Sequence, residues 1–248
     1  MLNIIKMLYE LAEECILCPN LCKAKRAEGK TGKCKVGINP VISSAQLHFG
    51  EEKVLVGRKG SGTIFFTGCN LKCLYCQNYE ISHLLYGEEI SVAKLSDTMI
   101  SLSKKGAENI NLVTPTHQIH AIVKALETAK SRGLSIPVVY NCSGYESLEI
   151  LKLLDGIIDI YMPDAKYFND EIAEKYSGIK NYREVMCNAL KEMYNQVGDL
   201  KTDSKGVAKQ GLLIRHLVLP GGLNGLSSSK EILDFIKKEI SPNTYVNI

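Results

Sequence analysis

The chain has 248 residues, 45% of them hydrophobic and 23% charged, with 30 Lys and Arg against 27 Asp and Glu. That composition builds an ordinary globular core and excludes a disordered chain. The basic residues are scattered, which argues against a nucleic-acid track or a membrane patch. No window approaches the roughly 20 apolar residues of a bilayer span, so a soluble, cytoplasmic protein is expected.

The N-terminal stretch MLNIIKMLYELAEE is amphipathic. Lys6, Glu10, Glu13 and Glu14 interrupt any apolar h-region, so it reads as a helix and not as a signal peptide. Seven of the nine cysteines then fall in two tight groups, with Cys142 and Cys187 apart. Clustered cysteines without a secretory signal point to metal binding before disulfides. The first group, Cys15, Cys18, Cys22 and Cys34, has the spacing C-x2-C-x3-C-x11-C. Four sulfurs suit a closed site, either structural zinc or a fully ligated second iron–sulfur cluster, with redox-active or unliganded thiols as the third reading. Residues 1–58 are therefore expected to form a small cysteine-bearing segment ahead of a core at 59–248. GRKGSG, at 57–62, precedes a strand instead of joining strand to helix, so it reads as a turn and not as a phosphate loop.

A repeating rhythm follows. GTIFFTG (62–68) reads as a buried strand and SVAKLSDTMISLSKKG (91–106) as a helix with Val92, Leu95, Met99 and Leu102 on one face. NINLVT, IPVVYN, IIDIYMP, LLIRHLVLP and TYVNI read as five further strands. The helices between them include QIHAIVKALETAKSRG, ESLEILKLLDG, YREVMCNALKEMYNQVG and SKEILDFIKKEI. Alternation of this kind predicts parallel βαβ units, with ligands at the carboxyl ends of the strands. Those ends carry Gly68-Cys69, Thr114-Pro115-Thr116-His117, Asn141-Cys142-Ser143-Gly144, Pro163-Asp164-Ala165-Lys166 and Pro220-Gly221-Gly222. A chain ending inside the sixth strand suggests a missing C-terminal portion or a shortened barrel.

The second cysteine group, CNLKCLYC, places Cys69, Cys73 and Cys76 directly behind the first strand. Three thiolates hold three irons of a [4Fe–4S] cube and leave the fourth iron open, whereas structural zinc wants four ligands. His83, the nearest fourth candidate, fits no common zinc spacing. Elsewhere, period-2 alternation allows only one of Arg215 and His216 to face inward, and Arg215 is the one expected there. His117 and His120 could share a metal, though a helix-capping or pocket role for His117 is favoured. Cys142 and Cys187 read as core residues.

GCNLKCLYCQN resembles the cluster loop of radical S-adenosylmethionine (SAM) enzymes, in particular the relatives of pyruvate formate-lyase activating enzyme. The resemblance extends from about Cys15 to the end of the chain and implies a partial (β/α)6 TIM-type barrel, a [4Fe–4S] cluster and SAM. It further implies reductive cleavage of SAM to a 5′-deoxyadenosyl radical, hydrogen-atom abstraction, and anaerobic chemistry fed by a flavodoxin or ferredoxin. The substrate it implies is a glycyl residue of a partner protein. A small molecule or another protein side chain is the alternative, and a non-catalytic iron–sulfur or zinc protein is an alternative of another class. By the same resemblance Tyr75 lies against the adenine, and Asn141 and Ser143 face SAM. Asp164 and Lys166 stand near its carboxylate, and Arg215 faces the site. Where the family has Gly-Gly-Glu for the methionine amino group, this chain has Thr114-Pro115-Thr116, which offers hydroxyls and a carbonyl but no carboxylate. The C-x2-C-P-x2-C lead followed by G-x-C is shared with some relatives in that branch.

Overall fold

The computed structural model describes residues 1–248. Helix α1 (Leu2–Glu13) opens the chain, followed by β1 (Val41–His48), α2 (Lys53–Val56), β2 (Ser61–Phe66), α3 (Tyr79–Ser82) and β3 (Glu88–Glu89). The repeating part runs α4 (Val92–Lys104), β4 (Ile110–Val113), α5 (Ile119–Ser131), β5 (Val138–Cys142), α6 (Leu148–Leu153) and β6 (Ile160–Pro163). It continues with α7 (Asp170–Ser177), α8 (Tyr182–Val197), β7 (Lys201–Thr202), β8 (Ala208–Arg215), α9 (Ser229–Phe235) and β9 (Tyr245–Asn247). Local chemistry starts and stops these helices. Ser91 caps α4 by accepting from the Lys94 N–H at 3.1 Å, and Asn169 caps α7 by accepting from Ile172.

Six strands, in the order β2-β4-β5-β6-β8-β9, pair parallel and form a partial (β/α)6 barrel. Alternation along the strands divides the side chains into two sets. Val139, Ile160, Met162 and Leu213 pack together inside with Leu55 of α2, whereas Val138, Tyr140, Tyr161, Leu212 and Ile214 join the helices in the larger core. The connection from β1 to β2 therefore dips into the barrel, Leu55 being wholly buried there.

Two features differ from the sequence reading. Residues 41–48, inside the expected lead segment, form β1, which pairs antiparallel with β2 and extends the main sheet. Helix α1 lays Ile5, Leu8 and Ala12 into the same core as the barrel and packs on α5. The expected strand at 212–220 ends at Arg215 instead, because Leu217 and Val218 stand exposed and unpaired beyond it. No helix is long and apolar enough to cross a membrane.

Candidate functional site

After β2 the chain turns at Gly68 (φ 82°), where a Cβ would stand 2.5 Å from the Cys34 carbonyl oxygen, so only glycine fits this close approach. The following loop brings Cys69, Cys73 and Cys76 together, the second buried and the others half-buried. Each sulfur has a polar neighbour. The Leu71 N–H donates to Cys69 Sγ at 3.4 Å, Ser177 Oγ lies 2.9 Å from Cys73 Sγ, and Ser82 Oγ lies 3.1 Å from Cys76 Sγ. Burial, with some repulsion from its two neighbours, pushes the Cys69 thiol up to about 12, and burial raises Cys73 as well. The resistance of Cys69 and Cys73 to ionisation is what a bound cationic metal group would reverse. The donor set thus fits an iron–sulfur cluster held by three thiolates. His83 is no fourth ligand here: its Nδ1 lies 2.8 Å from Ser82 Oγ and its ring stacks on Tyr79.

The strand ends opposite this loop carry a continuous polar row. Lys166 Nζ donates to Asp164 Oδ2 at 2.6 Å, Arg215 Nε to Asp164 Oδ1 at 2.9 Å, and Arg215 Nη2 to Asn141 Oδ1 at 2.7 Å. Burial would raise Asp164, but the charges of Arg215 and Lys166 outweigh it and hold the carboxyl below the usual carboxylate range. Asp164 in turn holds Lys166 in its charged form against burial, and Cys73 adds to that field. Arg215 points into the barrel, while His216 points out and bonds the Ala165 carbonyl and Ser229.

Tyr75 donates its hydroxyl to Tyr167 at 2.6 Å, and Tyr167 reaches Ser177 at 2.8 Å, so one hydroxyl chain joins Cys73, Ser177, Tyr167 and Tyr75. Thr114 takes a positive φ of 60° and its N–H bonds the Asn141 carbonyl at 2.8 Å. The Thr116 hydroxyl donates to Glu146 Oε1 at 2.8 Å, while Tyr140 donates to Oε2 at 2.9 Å. Ser143 is buried, and its carbonyl accepts from the Tyr182 hydroxyl. The sequence reading overlooked Glu146, Ser177, Ser82 and Tyr167 as supports of this site, since each meets its partner through a loop or helix with no spacing of its own to announce it.

Of the lead cysteines, Cys15, Cys18 and Cys34 are buried and Cys22 is exposed. Burial raises Cys15 and pushes Cys18 up to about 12. Arg26, 1% exposed, lies with Nη1 3.8 Å from Cys15 Sγ and otherwise donates to the carbonyls of His117 and Gly37. A buried guanidinium without a carboxylate wants an anion beside it, and metal-bound thiolates provide one. The lead sulfurs do not converge on one ion position; nor do Cys69, Cys73 and Cys76, but a [4Fe–4S] cube bonds each thiolate to a different iron and asks for no such convergence. The lead segment touches the cluster loop directly: Asn20 Nδ2 donates to the Asn70 carbonyl at 2.8 Å. His117 and His120 do not share a metal position, as each ring bonds a backbone carbonyl, of Thr67 and Ile38 respectively. Burial keeps both neutral, with values pushed down to about 3. Cys142 is buried and Cys187 half-buried, both packed with the main core.

Residues 63–199 match the family model of the radical SAM superfamily. The chain is 32% identical over 258 residues to the "Uncharacterized protein MJ0674" of Methanocaldococcus jannaschii, a match covering 99% of this chain and 69% of that protein. More distant likenesses are the crystal structures of HydG, a maturase of the [FeFe]-hydrogenase (14% identity, TM-score 0.48), and methylornithine synthase, PylB (13%, 0.48). They cover 69% and 70% of this chain, which spans only 38% and 48% of theirs. With more than half its length matching the family model, the chain belongs to the radical SAM superfamily.

Proposed function

We propose that this chain catalyses hydrogen-atom abstraction by radical SAM chemistry, with Cys69, Cys73 and Cys76 as the cluster ligands. The observation that carries this is the placement of three clustered cysteines opposite the Asn141–Arg215–Asp164–Lys166 row. When bound, a [4Fe–4S] cluster with SAM supplies one-electron reductive cleavage to methionine and a 5′-deoxyadenosyl radical, the electron coming from a flavodoxin- or ferredoxin-type donor. The chain's own residues bind and orient. Lys166 presents an ammonium to the SAM carboxylate while Asp164 holds it in place. Tyr75, fixed by Tyr167, offers a ring face to the adenine, and Asn141 and Ser143 offer polar atoms from the end of β5. Thr114 does the same from the end of β4, whereas the Thr116 hydroxyl is committed to Glu146.

A glycyl residue of a partner protein is the substrate suggested by likeness to activating enzymes. A small molecule or another side chain is favoured by unpaired polar groups inside the barrel. For the lead cysteines we propose a second metal site, zinc or an auxiliary cluster, within a segment at residues 1–58. The test is 5′-deoxyadenosine release from anaerobically reconstituted, reduced protein given SAM. Release that vanishes in Cys73→Ala supports the proposal. A protein that neither binds SAM nor releases the nucleoside would instead be a non-catalytic binding platform.

A further inference from the structure

The alternation that turns Asn141, Asp164 and Arg215 into the barrel also turns Asn111 inward from β4, between the outward Ile110 and Leu112. Asn111 is wholly buried; its amide lies near enough to Glu51 to lower that carboxyl slightly, yet neither its nitrogen nor its oxygen reaches a partner with hydrogen-bond geometry. Beside it sits Glu51, on the connection that dips into the barrel after β1. The Glu51 side chain is 10% exposed, and its Oε2 also lacks a hydrogen-bond donor. The nearest cation, Arg215 Nη1, stands 3.8 Å away, and the other Arg215 nitrogens serve Asp164 and Asn141. Burial raises the Glu51 carboxyl and Arg215 only partly opposes it; His48 and Glu52 are its other charged neighbours. The two interior carboxylates therefore differ. Asp164 has two cations in hydrogen-bond contact, and Glu51 has none. Native folds keep such buried, unpaired polar groups where something else completes them.

Glu51 also lines a cavity of about 340 Å³, bordered by Gly50, Glu52, Lys53, Tyr245 and Asn247. Two carboxylates against one lysine make its walls net negative. Its volume, near the lower end for ligand pockets, suits a small molecule.

We propose that Glu51 and Asn111 form a subsite for the ammonium group of a small primary amine. The ammonium donates to Glu51 Oε2 and Asn111 Oδ1, which leaves the Asn111 amide nitrogen to donate to the second Glu51 oxygen. Arg215 then separates this group from Asp164 and Lys166, and the alkyl part of the ligand lies on the other side of Glu51, in the cavity beside Tyr245 and Asn247. This deepens the reading above and rests on it only in calling the ligand a substrate.

The test is calorimetric titration of cluster-loaded protein with n-butylammonium chloride, against n-butanol as the neutral match, without and with SAM. Butylammonium should bind the wild type, butanol at least about tenfold more weakly, and Glu51→Gln should lose about tenfold in butylammonium affinity. Asn111→Asp, which adds charge at constant shape, should tighten binding and keeps the test open if Glu51→Gln folds poorly. Absence of butylammonium binding, equal binding of butanol, an unchanged constant in Glu51→Gln, or weaker binding in Asn111→Asp would each overturn the subsite. SAM affinity is read separately: its loss in the wild type counts against the radical chemistry and leaves the amine result standing.

Discussion

Ser177 touches no reacting atom, yet its hydroxyl lies 2.9 Å from Cys73 Sγ and 2.8 Å from the Tyr167 hydroxyl. A hydrogen bond to a cluster sulfur stabilises the more negative, reduced state and so raises the reduction potential. Taking that bond as about 1 kcal/mol, Ser177→Ala should lower the potential by roughly 40 mV in a redox titration followed by electron paramagnetic resonance. An unchanged midpoint would mean that Ser177 only packs. Lys166 makes a different contribution. Its side chain is 16% exposed and its ammonium is paired with Asp164 at 2.6 Å, which holds it charged; in the SAM site proposed above it would meet the incoming carboxylate. Lys166→Ala should weaken SAM binding about tenfold, and an unchanged dissociation constant would remove Lys166 from the SAM site.

The loops after β4 and β5 act as a unit. Thr116 and Tyr140 both donate to Glu146, a buried carboxyl that burial pushes up to about 7 and these two donors pull partly back. The folded carboxyl keeps its proton up to about pH 7, whereas the unfolded one loses it near 4.5. This group therefore adds stability below pH 4.5, and the addition fades as pH rises to 7, by about 3 kcal/mol in total. Denaturant unfolding at pH 5 and pH 7.5 should show that decline in the wild type and a flatter response in Glu146→Gln; equal slopes would exclude Glu146 as the source. At this scale the six parallel strands and the helices between them were legible in the sequence, because strands buried on both faces carry continuous apolar runs. Strand β1 was not. VISSAQLH is half-buried, interrupted by Ser43 and Ser44, and becomes a strand by pairing with β2, a partner that local pattern does not reveal.

Across the whole molecule, β1 covers the edge of β2 and α1 packs on α5, so the segment at residues 1–58 shares both sheet and core with the barrel. A chain beginning at residue 59 would bare the β2 edge and the apolar surface under α1, which favours association between copies. It should associate or precipitate where the full chain remains dispersed, as read by sedimentation. A dispersed 59–248 fragment with the full chain's melting temperature would make the first 58 residues an independent appendage. The sequence by itself determined the Cys69-Cys73-Cys76 loop and the βα alternation, since ligand spacing within one loop and apolar periodicity are set by neighbours along the chain. Only the tertiary structure decided which groups meet across it. Ser177 reaches Cys73 over 104 positions, Arg215 reaches Asn141 over 74, and Glu51 comes to lie beside Asn111, because strand register and the packing of connections set those meetings.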